Sequence, residues 1–272
     1  MKKYQLCSVL RISVVFIAIS VFSIACSTVP FSDRKQMTLL PESQMMAMSL
    51  TQYDSFLEEH PPVTGTSESR MVKNVGQKIS SAVERYMNSN NLASRIEGFE
   101  WEFNLVDEDV PNAWCMPGGK VVFYTGILPY TKTEEGLAVV MGHEIAHAVA
   151  KHGNERMSQQ LMLEAGGVFL SAYLEQNQAE HQDLYMAAYG VGSTVGVSLP
   201  YSRAHETEAD KMGLIFMAMA GYDPAEAVDF WQRMAQSGGQ TPPEFLTTHT
   251  SDDTRIKNLR EFLPEARKYA GK

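Results

Sequence analysis

The chain has 272 residues, with 23 lysines and arginines against 32 aspartates and glutamates, a formal charge of −9. That length supports one domain with a substantial core. An acidic balance with no basic patch or basic helix argues against nucleic acid as a partner and against strong attraction to anionic lipid.

Lys2, Lys3 and Arg11 precede an apolar run, Ile12 to Ile24, that is short for a membrane span. The run ends in Ser23-Ile24-Ala25-Cys26. Small residues before a cysteine resemble a bacterial lipoprotein signal, with Cys26 as the lipidated first residue, although Ser23 stands where leucine is usual. Ser27, rather than aspartate, after the cysteine implies sorting to the outer membrane. The expected division is a signal peptide over 1–25, a polar tether over 26–40 and a single domain over 41–272. Cys7 then leaves with the signal and Cys26 carries lipid. Cys115 has no partner left, so no internal disulfide is expected.

Glu42 to Glu59 reads as a helix with apolar residues at Met45, Met46, Leu50, Tyr53 and Leu57, stopped by His60-Pro61-Pro62. Glu68 to Met87 is a second helix, with Met71, Val72, Val75, Ile79, Val83 and Tyr86 at spacings of three and four. The period then changes to two. Phe99, Trp101, Phe103 and Leu105 alternate with polar residues, as in a strand with one buried face. Pro111 to Gly119 is read as a loop or irregular edge segment, and Val121 to Tyr124 as a short strand. Thr133 caps a helix expected to run to Met157. Leu161 to Leu199 is read as two helices packed through small residues and broken near Gln176 to Gln182. Further helices are expected over Arg203–Ala220, Ala225–Gln236 and, capped by Ser251, from Asp252 to about Tyr269. The class is mainly α with a small β-sheet, α+β.

The Thr133 helix carries His143, Glu144 and His147 in the order H-E-x-x-H. Residues four apart share a helical face, so the two imidazoles can grip one cation. Glu144 lies beside them, where it can deprotonate a water that the cation polarises. A catalytic zinc site needs a third protein ligand. The candidate stretch is Arg203 to Asp210, in which Glu206 and Asp210 are four apart on one face. By residue chemistry alone His205, Glu206 and Glu208 compete for the role. A second carboxylate there can hold the outer nitrogen of a ligating histidine. His152, five after His147, falls off the metal face and is read as a structural hydrogen-bonder. His60, beside its prolines, reads as a surface residue.

H-E-x-x-H followed by E-x-x-A-D at Glu206 to Asp210 resembles the zinc metallopeptidase family of the CAAX prenyl endopeptidases, HtpX and the periplasmic LoiP and BepA proteins. Further landmarks are Asn112-Ala113 with Pro117-Gly118-Gly119, Gly221-Tyr222-Asp223-Pro224, and Thr248-His249 with Arg255-Ile256. The resemblance implies a zincin-like core with a helical C-terminal part and one Zn²⁺ per chain, held by His143, His147 and Glu206. It implies that Asp210 buttresses a ligand histidine and that Asn112 and Ala113 border the substrate cleft. It implies that Glu144 is the catalytic base. His249 near the zinc stabilises the transition state or blocks the open position, but Thr250 replaces the family's proline after it. The implied function is exported zinc-dependent endopeptidase acting on misfolded or unassembled envelope proteins. The export signal without spanning helices is most similar to LoiP-like lipoproteins. The alternative is a largely latent protease serving outer-membrane protein assembly.

Overall fold

The computed structural model describes residues 26–237, Phe245, His249 and 253–272. The expected signal peptide, the Ser251 cap and Thr248 lie outside the described residues. The described chain is mostly helical with a small β-sheet, the architecture expected.

A short antiparallel hairpin opens it, β1 (Cys26–Thr28) paired with β2 (Lys35–Met37). Helix α1 (Glu42–Glu59) follows and buries only Met45, Ser49 and Tyr53, a narrow stripe that leaves Leu50 46% exposed. Thr66 accepts a hydrogen bond from the Ser69 backbone N–H and starts α2 (Ser67–Ser89). The apolar stripe of α2 enters the main core through Val72, Val75, Ile79, Val83 and Tyr86.

The three-stranded sheet runs in the order β3 (Glu102–Val106), β5 (Lys120–Tyr124), β4 (Ala113–Met116). β5 is parallel to β3 and antiparallel to β4, which therefore forms one edge. α2 packs against β3. On the other side Tyr53 of α1 accepts a hydrogen bond from Asn104 at 2.8 Å.

After a short helix α3 (Leu128–Thr131), α4 (Glu134–Val149) carries the H-E-x-x-H motif and is buried continuously from Gly136 to Val149. A helix apolar on every side has to be surrounded, and α4 is packed by α2, by β4 and by the later helices. Helices α5 (His152–Gln176) and α6 (Gln182–Ser193) form a hairpin. It packs through Gly166, where a Cβ atom would run into the Tyr189 hydroxyl. Its outer face exposes Val168, Phe169, Leu184 and Tyr185. A π-helical turn over Thr194–Ser198 leads into α7 (Leu199–Met219), followed by α8 (Glu226–Ser237) and α9 (Asp253–Ala266). Among the described residues no helix is long and apolar enough to cross a membrane.

One crossing sets the geometry of the centre. Where α4 meets α7, Gly142 faces Gly213, and a Cβ atom on Gly213 would lie 3.0 Å from the backbone nitrogen of His143. Two glycines let the backbones touch, which brings the acidic end of α7 beside the motif.

Four expectations are corrected. The tether over 26–40 is a packed hairpin: Val29 and Gln36 are buried, and Arg34 reaches the core. The strand from Phe99 begins only at Glu102 and is covered on both faces, because α1 and α2 sandwich it. The irregular segment at Pro111 to Gly119 contains a regular strand, β4. The metal helix stops at Val149 rather than Met157, because Lys151 takes a left-handed conformation (φ 62°) and turns the chain into α5.

Candidate metal centre

His143 and His147 lie one turn apart on α4, and their Nε2 atoms are 3.1 Å apart. The α4–α7 crossing brings Glu206 to them. Its Oε2 is 3.4 Å from His143 Nε2, and its Oε1 is 3.3 Å from His147 Nε2. His249 closes the group, with Nδ1 3.1 Å from His143 Nε2 and 2.9 Å from Glu206 Oε2. One nitrogen or oxygen from each of these four residues lies within 4.8 Å of all the others.

That donor set fits a cation. Three imidazole nitrogens and a carboxylate converge on one small volume, and their lone pairs cannot all be satisfied by one another. Two imidazole nitrogens and a carboxylate oxygen, from His143, His147 and Glu206, make a zinc-type ligand set, with the His249 imidazole beside it. Of the three competitors for third ligand, only Glu206 enters the cluster. His205 and Glu208 point instead to Glu155 and His152.

Glu144 is buried beside the cluster, and its Oε1 has no hydrogen-bond partner among the described residues. The nearest base is His249 Nε2, 3.4 Å away. Burial raises the Glu144 carboxyl above its usual range, with His249 and His143 opposing. Glu206 behaves in the opposite way. Burial would raise it too, but hydrogen bonds from His143, His147 and His249 hold it well below the carboxylate range. Two carboxylates within one site are thus separated, one to bind charge and one to accept a proton.

Asp210 stands where a buttress was expected, with Oδ1 3.0 Å from His143 Nδ1. It is itself clamped by Arg255 of α9, whose Nε and Nη2 donate to the two carboxylate oxygens at 2.8 and 2.6 Å. The Arg255 guanidinium lies 3.4 Å from the centroid of the Trp231 ring. Burial weakens the charge on His143, but bonds to Asp210 and Glu206 outweigh it and push its pKa up to about 9. His147 lacks such a direct carboxylate behind it, and burial takes it well below the ordinary histidine value.

His249 is held through Phe245. The His249 N–H donates to the Phe245 carbonyl, the Phe245 N–H donates to the Pro111 carbonyl, and the Phe245 ring stacks on Trp231. Thr250 lies outside the described residues. Asn112 and Ala113 sit at the start of β4. Asn112 caps its neighbour, its Oδ1 accepting from Ala113 N at 2.9 Å, and Ala113 is buried against β5. They contribute no atom to the four-residue cluster. Cys115, further along β4, is a free, partly buried thiol raised by burial and by the Glu144 charge. His60, read as a surface residue, is half-buried and hydrogen-bonded to Glu108 at 2.6 Å.

Residues 74–263 match peptidase family M48. The chain belongs to that family. Mitochondrial metalloendopeptidase OMA1 of Schizosaccharomyces pombe is 37% identical over 187 residues, 68% of this chain and 53% of the relative. Human OMA1 is 29% identical over 247 residues, 88% of this chain and 46% of that protein. The beta-barrel assembly-enhancing protease of Yersinia pestis is 30% identical over 165 residues, 59% of this chain and 34% of the relative. The chain thus spans about half the length or less of these relatives. The M48 assignment agrees with the zinc-type cluster and with a zincin-like H-E-x-x-H core.

Sequence reasoning missed two features of this M48 centre. Arg255 was read as a landmark without a role, although a buried arginine in an acidic chain needs a carboxylate partner. His152 is a structural hydrogen-bonder outside the metal cluster, as expected, but its partner, His147 Nδ1 at 2.9 Å, was not foreseen. The turn at Lys151 brings the two together, and no spacing rule announces that turn.

Proposed function

We propose that this chain is an exported zinc endopeptidase, anchored at the outer membrane by lipid on Cys26 and cleaving misfolded or unassembled envelope proteins. The observation that carries the enzymatic part is the convergence of His143, His147 and Glu206 within one cluster, with the buried Glu144 carboxylate beside it. The Ser23 to Ser27 sequence supports the anchor. The Yersinia pestis relative, a beta-barrel assembly-enhancing protease, supports the substrate class. A likeness to LoiP-type lipoproteins rests on the signal alone.

His143, His147 and Glu206 would hold the zinc. When bound, it supplies Lewis acidity toward the scissile carbonyl and the attacking water. Glu144, buried and raised in pKa, takes the proton of that water and delivers it to the leaving amine. His249 lies close enough to the Glu144 carboxylate to donate from Nε2 to the oxyanion as it develops. Asp210 keeps the proton of His143 on Nδ1, leaving Nε2 as the ligand atom. β4 is an edge strand and runs beside α4, so an extended substrate can add to it through backbone hydrogen bonds. Such binding reads an unfolded conformation more than a sequence, as a quality-control protease requires.

The test is casein cleavage and bound metal in wild type and Glu144→Gln. We expect about one zinc per chain in both proteins, in line with the three-ligand site. Removing a general base should slow cleavage at least about 100-fold. Equal cleavage by the two proteins would exclude Glu144 as the base, and absence of zinc from both would exclude the ligand set.

A further inference from the structure

A second set of buried polar groups lies behind His147. The left-handed turn at Lys151 folds His152 back, fully buried, against the outer nitrogen of His147. His152 Nε2 lies 3.0 Å from Glu208 Oε2. Glu208 receives Arg34 Nε and Nη2, each at 2.8 Å, and the Ser32 hydroxyl. Arg34 also bridges to Glu155, through Nη1 at 2.7 Å and Nη2 at 2.8 Å. Glu155 in turn meets His205 Nε2 at 2.9 Å and Gln36 Nε2 at 3.3 Å. Ser32, Arg34 and Gln36 all belong to the N-terminal hairpin, outside the residues that match M48.

Proton counting gives this chain of contacts one arrangement. With His147 Nε2 turned to the cluster as a ligand atom, its Nδ1 carries the proton and donates. His152 Nδ1 must then accept. A neutral imidazole that accepts at Nδ1 carries its proton on Nε2, and that proton points at Glu208. Glu208 has to be an ionised acceptor in a fixed place, and two hydrogen bonds from one planar guanidinium fix it. Without Arg34, Glu155 and Glu208 become two buried carboxylates that have lost the cation between them. Glu208 can then turn away from His152 Nε2, and nothing holds the His152 ring in line with His147. A His152 ring that is no longer held can swing away from His147 Nδ1 and release the His147 ring from its ligating orientation.

We infer that Arg34 is a positioning residue for the metal site, acting through Glu208 and His152 on the ring of His147. The inference rests on the zinc reading given above. It makes the N-terminal hairpin a working part of the centre rather than a spacer between anchor and enzyme.

The experiment uses the full-length chain and measures zinc affinity by competition with a chromogenic chelator, together with the visible spectrum of the cobalt(II)-substituted protein. Arg34→Gln should weaken zinc binding about 10- to 100-fold, the usual effect of losing a partner behind a ligand. Arg34→Lys keeps the charge but cannot bridge two carboxylates in the same plane, and should fall between wild type and Arg34→Gln. His152→Gln should shift the cobalt spectrum in the same way as Arg34→Gln. The double variant should bind no more weakly than His152→Gln alone, because both act along one path. Unchanged zinc affinity and cobalt spectrum in the folded Arg34→Lys or Arg34→Gln protein would overturn the inference while leaving the zinc reading intact, as would losses that add in the double variant. Wild type that takes up no zinc would remove both.

Discussion

The two histidines of the motif share a helix face and an environment, yet they are supported in different ways. His143 leans directly on a carboxylate, Asp210, which Arg255 clamps from α9. His147 leans on another imidazole, His152, and only then on a carboxylate clamped by an arginine, Glu208 with Arg34. Both supports end in an arginine–carboxylate pair, because a buried carboxylate needs a cation to stay ionised. They differ in where the arginine comes from. Arg255 lies within the residues that match M48, and Arg34 lies before them. One support therefore lies wholly within the family-matched core, and the other depends on how the leading segment folds back.

The largest expected effect is at the direct support. Arg255 is 6% exposed and Asp210 9%. Arg255→Gln leaves Asp210 buried without its cation and should cost about 3–5 kcal/mol in urea unfolding. If it costs no more than a surface ion pair such as Lys78–Glu134, whose members are both largely exposed, the His143 support is not the stiffer of the two.

The next effect tests the crossing on which both supports depend. Gly213→Ala puts a methyl group 3.0 Å from the His143 backbone, and the α4 and α7 backbones have little room to give. Overpacking of this kind costs about 1–3 kcal/mol. It should also loosen zinc binding, since Glu206 and Asp210 move with α7. Calorimetry with a zinc titration separates these outcomes, and unchanged values in both would mean that the helices can separate without disturbing the site.

The smallest effect is confined to the His147 side and appears in acid. Burial would raise the Glu155 carboxyl, but bonds from Arg34 and His205 hold it down at about 2. A depressed carboxylate stabilises the fold above its unfolded pKa and loses that contribution as pH falls through its folded one. The window is therefore from about pH 4.5 down to about pH 2, and the contribution is at most on the order of 3 kcal/mol. Stability measured across that window should fall more steeply in wild type than in Glu155→Gln. Parallel curves would show that the hairpin salt bridges contribute nothing there.

Much of the centre was legible because its rules are local. A helix places residues four apart on one face whatever surrounds it, so His143 with His147, and Glu206 with Asp210, could be paired on paper. The family resemblance then separated Glu206 from His205 and Glu208, which residue chemistry alone left open. The helices could be read because their apolar residues recur at three and four, and their bounds were recovered closely at Glu42–Glu59 and near Gln176 to Gln182. Strand β3 misled because its apolar and polar residues alternate as in a half-buried strand, whereas the polar Asn104 is buried as well, hydrogen-bonded to Tyr53 of α1.

What the sequence determined by itself is the metal motif, the helical class and the family. Tertiary structure alone decided that Lys151 would turn the chain and bring His152 behind His147, that two glycines would let α4 and α7 touch, and that Arg34 would reach Glu155 and Glu208. The Arg34 contacts join residues more than 100 positions apart. Helical periodicity sets neighbours within a few turns, whereas partners at that distance are chosen by packing and by the cost of leaving a buried charge alone.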